Sequence, residues 1–148
     1  MRGSLWHLSL ATVVALAGFG AGCVTEHQSA VCDVDPFGWE TPAEIVFTNT
    51  DTLSTRDAAL FLRCDERFED DTLTVRIASV TPDSLRFEED FRLHIRRPKE
   101  PAALTPEAGI PYRQRIRLAR AGAYQWFVPP FPPVRGIQAV GLTLTPHP

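Results

Sequence analysis

Apolar and polar residues alternate with a period of two along most of this chain, the spacing that turns one face of a strand to a core and the other to water. In 42–49 the apolar face holds Ile45 and Phe47. In 58–64, Leu60, Leu62 and Cys64 alternate with Phe61 and Arg63; in 72–80, Leu73, Val75 and Ile77 face inward and Thr74 and Arg76 outward. Leu85, Phe87, Phe91, Leu93 and Ile95 keep one parity against Arg92, His94 and Arg96. Glu89 interrupts that face, which predicts a bulge or a split near 88–90. Tyr112, Ile116 and Leu118 oppose Arg113, Arg115 and Arg117, and Tyr124, Trp126 and Val128 follow on one side. In 136–145, Val140, Leu142 and Leu144 are inward, with Thr143 and Thr145 outward. Turn residues separate these runs at 49–52, 82–84 and 121–123. About seven or eight short strands of this kind predict an all-β fold, a single antiparallel β-sandwich.

Two proline-rich stretches interrupt the pattern. The 97–111 stretch contains Pro98, Pro101, Pro106 and Pro111 and reads as a long loop with room for a helical turn in 101–108. In 129–133 four prolines surround Phe131. They supply no amide donors, so this stretch is expected at a sheet edge or in a polyproline loop.

The start of the chain follows another logic. Arg2 precedes an apolar run that ends in Ala21-Gly22-Cys23, the layout of a secretory signal: positive start, apolar middle, small-residue cleavage site. A cysteine directly after the small residues resembles a bacterial lipobox. The expected organisation is therefore a lipoprotein signal peptide in 1–22, a tether in 23–35 and the β-sandwich domain in 36–148, with Cys23 carrying lipid. Gly20 departs from the leucine usual at its position, and the run is close to spanning length, so an uncleaved anchor is the competing reading. Val24 is not the aspartate associated with inner-membrane retention. The expected location is thus the bacterial cell envelope, lipid-anchored, at the outer membrane.

Charge and cysteine content narrow the picture further. A net charge of −3 argues against a nucleic-acid partner, which would call for a basic face. With Cys23 lipidated, Cys32 and Cys64 remain as an even pair, which in an oxidising compartment favours a disulfide. Two separate thiols are the alternative.

Catalytic chemistry is sparse. His27 lies in the tether and His147 beside the C-terminus, so neither is expected in a fixed geometry; His94 sits between two arginines on a polar face. No nucleophile elbow, zinc-protease helix or glycine-rich phosphate loop is present. Glu88, Glu89 and Asp90 are carboxylates for an enzyme reading, but strand neighbours point to opposite faces. The acidic run 65–71 lacks the spacing and glycine of a calcium loop. No catalytic, metal or cofactor site is expected. Two binding features stand out instead: the arginines 113, 115 and 117, and Phe131 among its prolines. The arginine stripe reads either as a docking surface or as the solvated face of an edge strand.

The order of several short motifs resembles a known family. After the lipobox cysteine come Trp39, Ile45-x-Phe47 with Asp51-Thr52, and Leu60-Phe61-Leu62-Arg63. Then follow Asp71-Thr72-Leu73-Thr74-Val75, Pro82-Asp83-Ser84-Leu85, Gly122-Ala123-Tyr124 and Gly136-Ile137-x-x-Val140-Gly141-Leu142. Together they are similar to the gliding-motility lipoprotein family of the GldH type. The chain departs from it at 88–96 and in the prolines of 129–133. The resemblance implies a non-enzymatic envelope lipoprotein whose partners are the membrane and other envelope proteins of the gliding and associated secretion machinery. The rival readings are a lipid-anchored sandwich that binds a glycan or peptide and, third, a lipid-anchored hydrolase.

Overall fold

The computed structural model describes residues 27–95 and 109–148. Eight strands form: β1 (Gln28–Asp33), β2 (Ala43–Asn49), β3 (Thr55–Cys64), β4 (Thr72–Val80), β5 (Arg86–His94), β6 (Ile110–Arg117), β7 (Gly122–Val128) and β8 (Ile137–Pro146). They make two four-stranded sheets, ordered β1-β8-β3-β6 and β2-β7-β4-β5, with every pairing antiparallel. The architecture is the expected all-β sandwich. Signal peptide and Cys23 lie outside the described residues, as does the 101–108 turn.

The period-two faces meet between the sheets. Ile45 and Phe47 from β2, Leu73, Val75 and Ile77 from β4, and Trp126 and Val128 from β7 are buried against Leu60, Val140, Leu142 and Leu144. Trp126 meets Phe47 edge-on, with ring centroids 5.6 Å apart, and stacks on Tyr124 at 6.0 Å. Trp39 is buried ahead of β2, its indole N–H donating to the Thr41 carbonyl at 2.7 Å.

The chain crosses between sheets after β6, and polar groups fix that crossing. Buried Asn49 donates from Nδ2 to the carbonyls of Leu118 and Arg120, at 2.8 and 2.9 Å. The Arg120 N–H in turn donates to the Tyr124 hydroxyl at 3.0 Å. A tyrosine bonding back to the backbone just before its own strand is a corner device of β-sandwiches.

Several expectations change. The 23–35 tether is in part a strand: β1 pairs with β8 from Gln28↔Leu144 to Asp33↔Ala139. Its sequence, QSAVCD, has only a weak apolar face, and its order comes from backbone bonds to a strand over a hundred residues away. The Cys32–Cys64 disulfide does not form. Cys32 pairs with Val140 and Cys64 with Ile137 on opposite sides of β8. Strands separated by another strand lie about 10 Å apart, whereas a disulfide needs Cα atoms within about 7 Å. There is no bulge at Glu89, since β4 and β5 stay in register from Thr72↔His94 to Val80↔Arg86. The irregularity falls instead where β3 meets β6, between Arg56 and Ala59, with Arg115 at φ +55°. Leu85 and Phe87 share the parity of Phe91 and Leu93 but are exposed, because that half of edge strand β5 is left uncovered.

The topology sorts the connections to two ends. The near end holds the start of β1, the 50–54, 81–85 and 118–121 connections and the last residues of the chain. The far end holds 34–42, 65–71 and 129–136.

Two measurements check this account. Asn49→Ala should cost about 1–3 kcal/mol in urea unfolding, because the buried Leu118 carbonyl and the part-buried Arg120 carbonyl lose their donor; a loss below about 0.5 kcal/mol, the range of surface substitutions, would show that the crossing does not need it. The melting temperature should be the same with and without reductant. A clear drop on reduction would mean that the two cysteines are bridged after all.

Candidate functional site

Three polar constellations stand on the sandwich, and they occupy different surfaces. The first is on the outer face of β2-β7-β4-β5. The 129–133 stretch extends β7 alongside β4 by an irregular ladder: the Arg76 N–H donates to the Pro129 carbonyl at 3.1 Å, and the Phe131 N–H donates to Thr74 at 2.9 Å. Prolines thus offer acceptors, and Phe131 supplies the donor that they lack. This holds the Phe131 ring in solvent, 57% exposed, with the Arg76 guanidinium 5.0 Å from its centroid. Arg76 is itself oriented by Asp90, to which Nε donates at 2.8 Å. That hydrogen bond lowers the Asp90 pKa and raises that of Arg76. Beside them Arg86 donates to Glu88 at 2.7 Å and lies 5.9 Å from the Phe127 ring. Between the two arginines runs a shallow groove of about 170 Å³ floored by Ala78 and Phe127. A matching pair stands at the far end, where Phe37 is 65% exposed with the Arg67 guanidinium 4.5 Å from its ring.

The second constellation lies on the outer face of β1-β8-β3-β6. Asp57 of β3 accepts from His147 Nδ1 at 2.9 Å and from the Arg115 backbone N–H at 2.9 Å. His147 Nε2 accepts from Arg115 Nε at 2.9 Å, which leaves the ring proton on Nδ1. The expectation that His147 would lack a fixed geometry is therefore corrected. Its N–H donates to the Thr55 carbonyl at 3.0 Å, so the β3–β8 ladder runs on past Pro146. No sequence motif announces this triad, because its members meet only through register. An aspartate–histidine pair resembles half of a hydrolytic relay, but the ring nitrogen that would activate a nucleophile is occupied by Arg115. On the same face, Phe61, Ala59, Ser29, Thr143 and Thr145 line a groove of about 270 Å³.

The third constellation closes β5 against β6. Glu89 accepts from the Tyr112 hydroxyl and from Arg113, while the Phe91 and Tyr112 rings meet edge-on at 5.2 Å. Burial pushes the Glu89 carboxyl up, but the bonds from Arg113 and Tyr112 outweigh it and leave the pKa lowered. Burial and the adjacent Glu89 push the Tyr112 hydroxyl well above its ordinary value. Glu88, Glu89 and Asp90 are thus each committed to an arginine.

The three stripe arginines do different things. Arg113 reaches across the flank to Glu89, Arg115 sits at the irregularity with Asp57 and His147, and Arg117 is exposed at the end of β6. Phe131 is on the opposite sheet, so the structure does not bring the stripe and Phe131 onto one surface. In the acidic run, Asp65 accepts from the Arg67 backbone at 2.9 Å and its side chain at 2.6 Å, while Phe68 is buried beneath. Among the described residues no group of three or more metal-ligating side chains gathers at one point.

The Asp57 cluster makes stability depend on acid. Hydrogen bonds from His147 and the Arg115 backbone lower the Asp57 pKa. Its stabilisation is therefore complete above the unfolded value, about 3.9, and is lost as pH falls through the lower folded value. Asp57→Asn should flatten the fall in urea-unfolding stability between about pH 5 and about pH 2 relative to the parent. Parallel curves would mean that the cluster contributes nothing.

No family model, curated protein or solved structure matches this chain.

Proposed function

We propose that the protein is a lipid-anchored component of the bacterial envelope, at the outer membrane, that docks other envelope proteins and has no catalytic role. The observation that carries this reading is the exposed Phe131 ring, fixed by its backbone bond to Thr74 and by the Arg76 guanidinium. Exposed aromatics beside arginines are the residue types that dominate binding energy at interfaces. A ring already ordered loses little entropy on binding. The placement supports the same reading, because Phe131 and Phe37 belong to far-end connections while the residues that follow Cys23 enter at the near end. A lipid on Cys23 would leave both rings at the end of the sandwich farther from the bilayer. The commitment of Glu88, Glu89 and Asp90 to arginines, and of His147 to Arg115, favours docking over hydrolysis. The resemblance to GldH-type lipoproteins suggests gliding and its associated secretion machinery as a setting; the docking reading does not depend on it. The groove beside Phe61, with the hydroxyls of Ser29, Thr143 and Thr145, favours glycan or peptide binding as a second reading.

The test is recovery of envelope partners by the parent, Phe131→Ala and Arg115→Glu proteins, with a thermal melt of each. Phe131→Ala should reduce recovery severalfold at an unchanged melting temperature. Arg115→Glu should lower the melting temperature, because it places a carboxylate beside Asp57; any loss of recovery shared with Phe131→Ala would put both faces in one interface. Full recovery by both variants would end the docking reading. Cys23→Ser should move the chain from the membrane to the soluble fraction, and retention with an intact signal would show an uncleaved anchor.

A further inference from the structure

We propose that the near end of the sandwich rests on the surface of the lipid bilayer, with Leu53 and Leu85 in the headgroup region. This depends on the reading of Cys23 as the lipidated residue, and it adds which part of the domain touches the membrane. Four residues, 24–27, separate Cys23 from the first residue of β1. Five chain steps span at most about 18 Å, whereas the ten residues of β8 run about 34 Å along the sandwich. The anchor therefore keeps the near end at the bilayer, and the far end stands clear of it when the strands are upright.

What the near end displays fits that position. Leu53 is 79% exposed, the most exposed large apolar side chain described. Its turn is not loose: the Asp51 carboxylate accepts from the backbone of Leu53 at 3.0 Å and of Ser54 at 3.1 Å. Those bonds, with the Ser54 side chain first among them, lower the Asp51 pKa to about 2. Leu85 is also exposed, and its turn is bound through Thr81, whose hydroxyl accepts the Leu85 N–H at 3.1 Å. Arg120 ties the neighbouring connection to Asp83 at 3.3 Å. Leucines on ordered turns enter an apolar environment without a further ordering cost, so the transfer free energy is kept.

Charge separates the two ends in the same sense. Asp51 and Asp83 are matched by Arg56 and Arg120, and Arg117 has no anionic partner among the described residues. At the far end the 65–71 connection alone carries five carboxylates and one arginine. A bilayer with anionic lipids attracts the first end and repels the second.

The test uses the lipidated full chain in vesicles of phosphatidylethanolamine and phosphatidylglycerol. Nitroxide labels go on Leu53→Cys, Leu85→Cys and Phe37→Cys, in a Cys32→Ser, Cys64→Ser background that breaks no bridge. Collisions with bilayer-soluble oxygen and with an aqueous nickel reagent are compared. The oxygen-to-nickel ratio should be severalfold higher at 53 and 85 than at 37. Quenching of Leu53→Trp by brominated lipid, in the parent cysteine background, should show the same contact. Equal ratios at all three positions, or a label at 53 shielded from both reagents as by a protein partner, overturn the proposal while the anchor stands. A chain that fails to float with the vesicles overturns the anchor and the proposal with it.

Discussion

Strand β8 is an inner strand, buried on its core face and over part of its outer face, and the positions of the other elements follow from that. Val140, Leu142 and Leu144 enter the core between the sheets, while Ala139 on the opposite face is equally inaccessible. That outer face closes where the Phe61 ring lies across Gly141; a Cβ there would meet the ring at 1.9 Å. A central strand needs both edges paired, and β8 takes β1 on one side and β3 on the other. The pairing orders a polar N-terminal segment that has no strong strand pattern of its own. It also sets Asp57 opposite Thr145, so the residue two places on, His147, comes within reach of the Asp57 carboxylate.

At each end the backbone is tied by short polar bonds and by glycine where the chain passes too closely for a side chain. Gly136, at φ +83°, lies so near the backbone of Phe68 that a Cβ would sit 2.1 Å from its nitrogen. That approach lets Phe68 bury beneath the acidic connection. Asn49 and Tyr124 perform the corresponding task at the near end, satisfying backbone groups that the crossing between sheets would leave without partners. Rigid ends allow apolar side chains to be displayed without collapsing onto the core.

The surface follows one rule on both sheets: a carboxylate orients an arginine, and in places the arginine covers a ring. Asp90, Arg76 and Phe131 form such a series, and Glu89, Arg113 and Tyr112 another. Exposed ion pairs of this kind stabilise only weakly, because water screens them. Their effect is to hold side chains in one place. The bulged β6 and the charged β5 also leave the open flanks poorly suited to pairing with another sheet.

The fold class and seven of the eight strands are legible in the alternation of the sequence. Where one face of a strand is buried, alternation records it locally, as in Ile45 and Phe47 or Tyr124 and Trp126. It also marked Phe131, because proline restricts the backbone wherever it occurs. The tertiary structure alone decided the rest. β1 became a strand because β8 supplied its partner; Cys32 and Cys64 stayed unbridged because β8 lies between them. The arginine stripe was divided when two register shifts turned Arg113 toward the other sheet and Arg115 toward His147. Each of these depends on register between strands far apart in the chain, and period two is silent on which strand pairs with which.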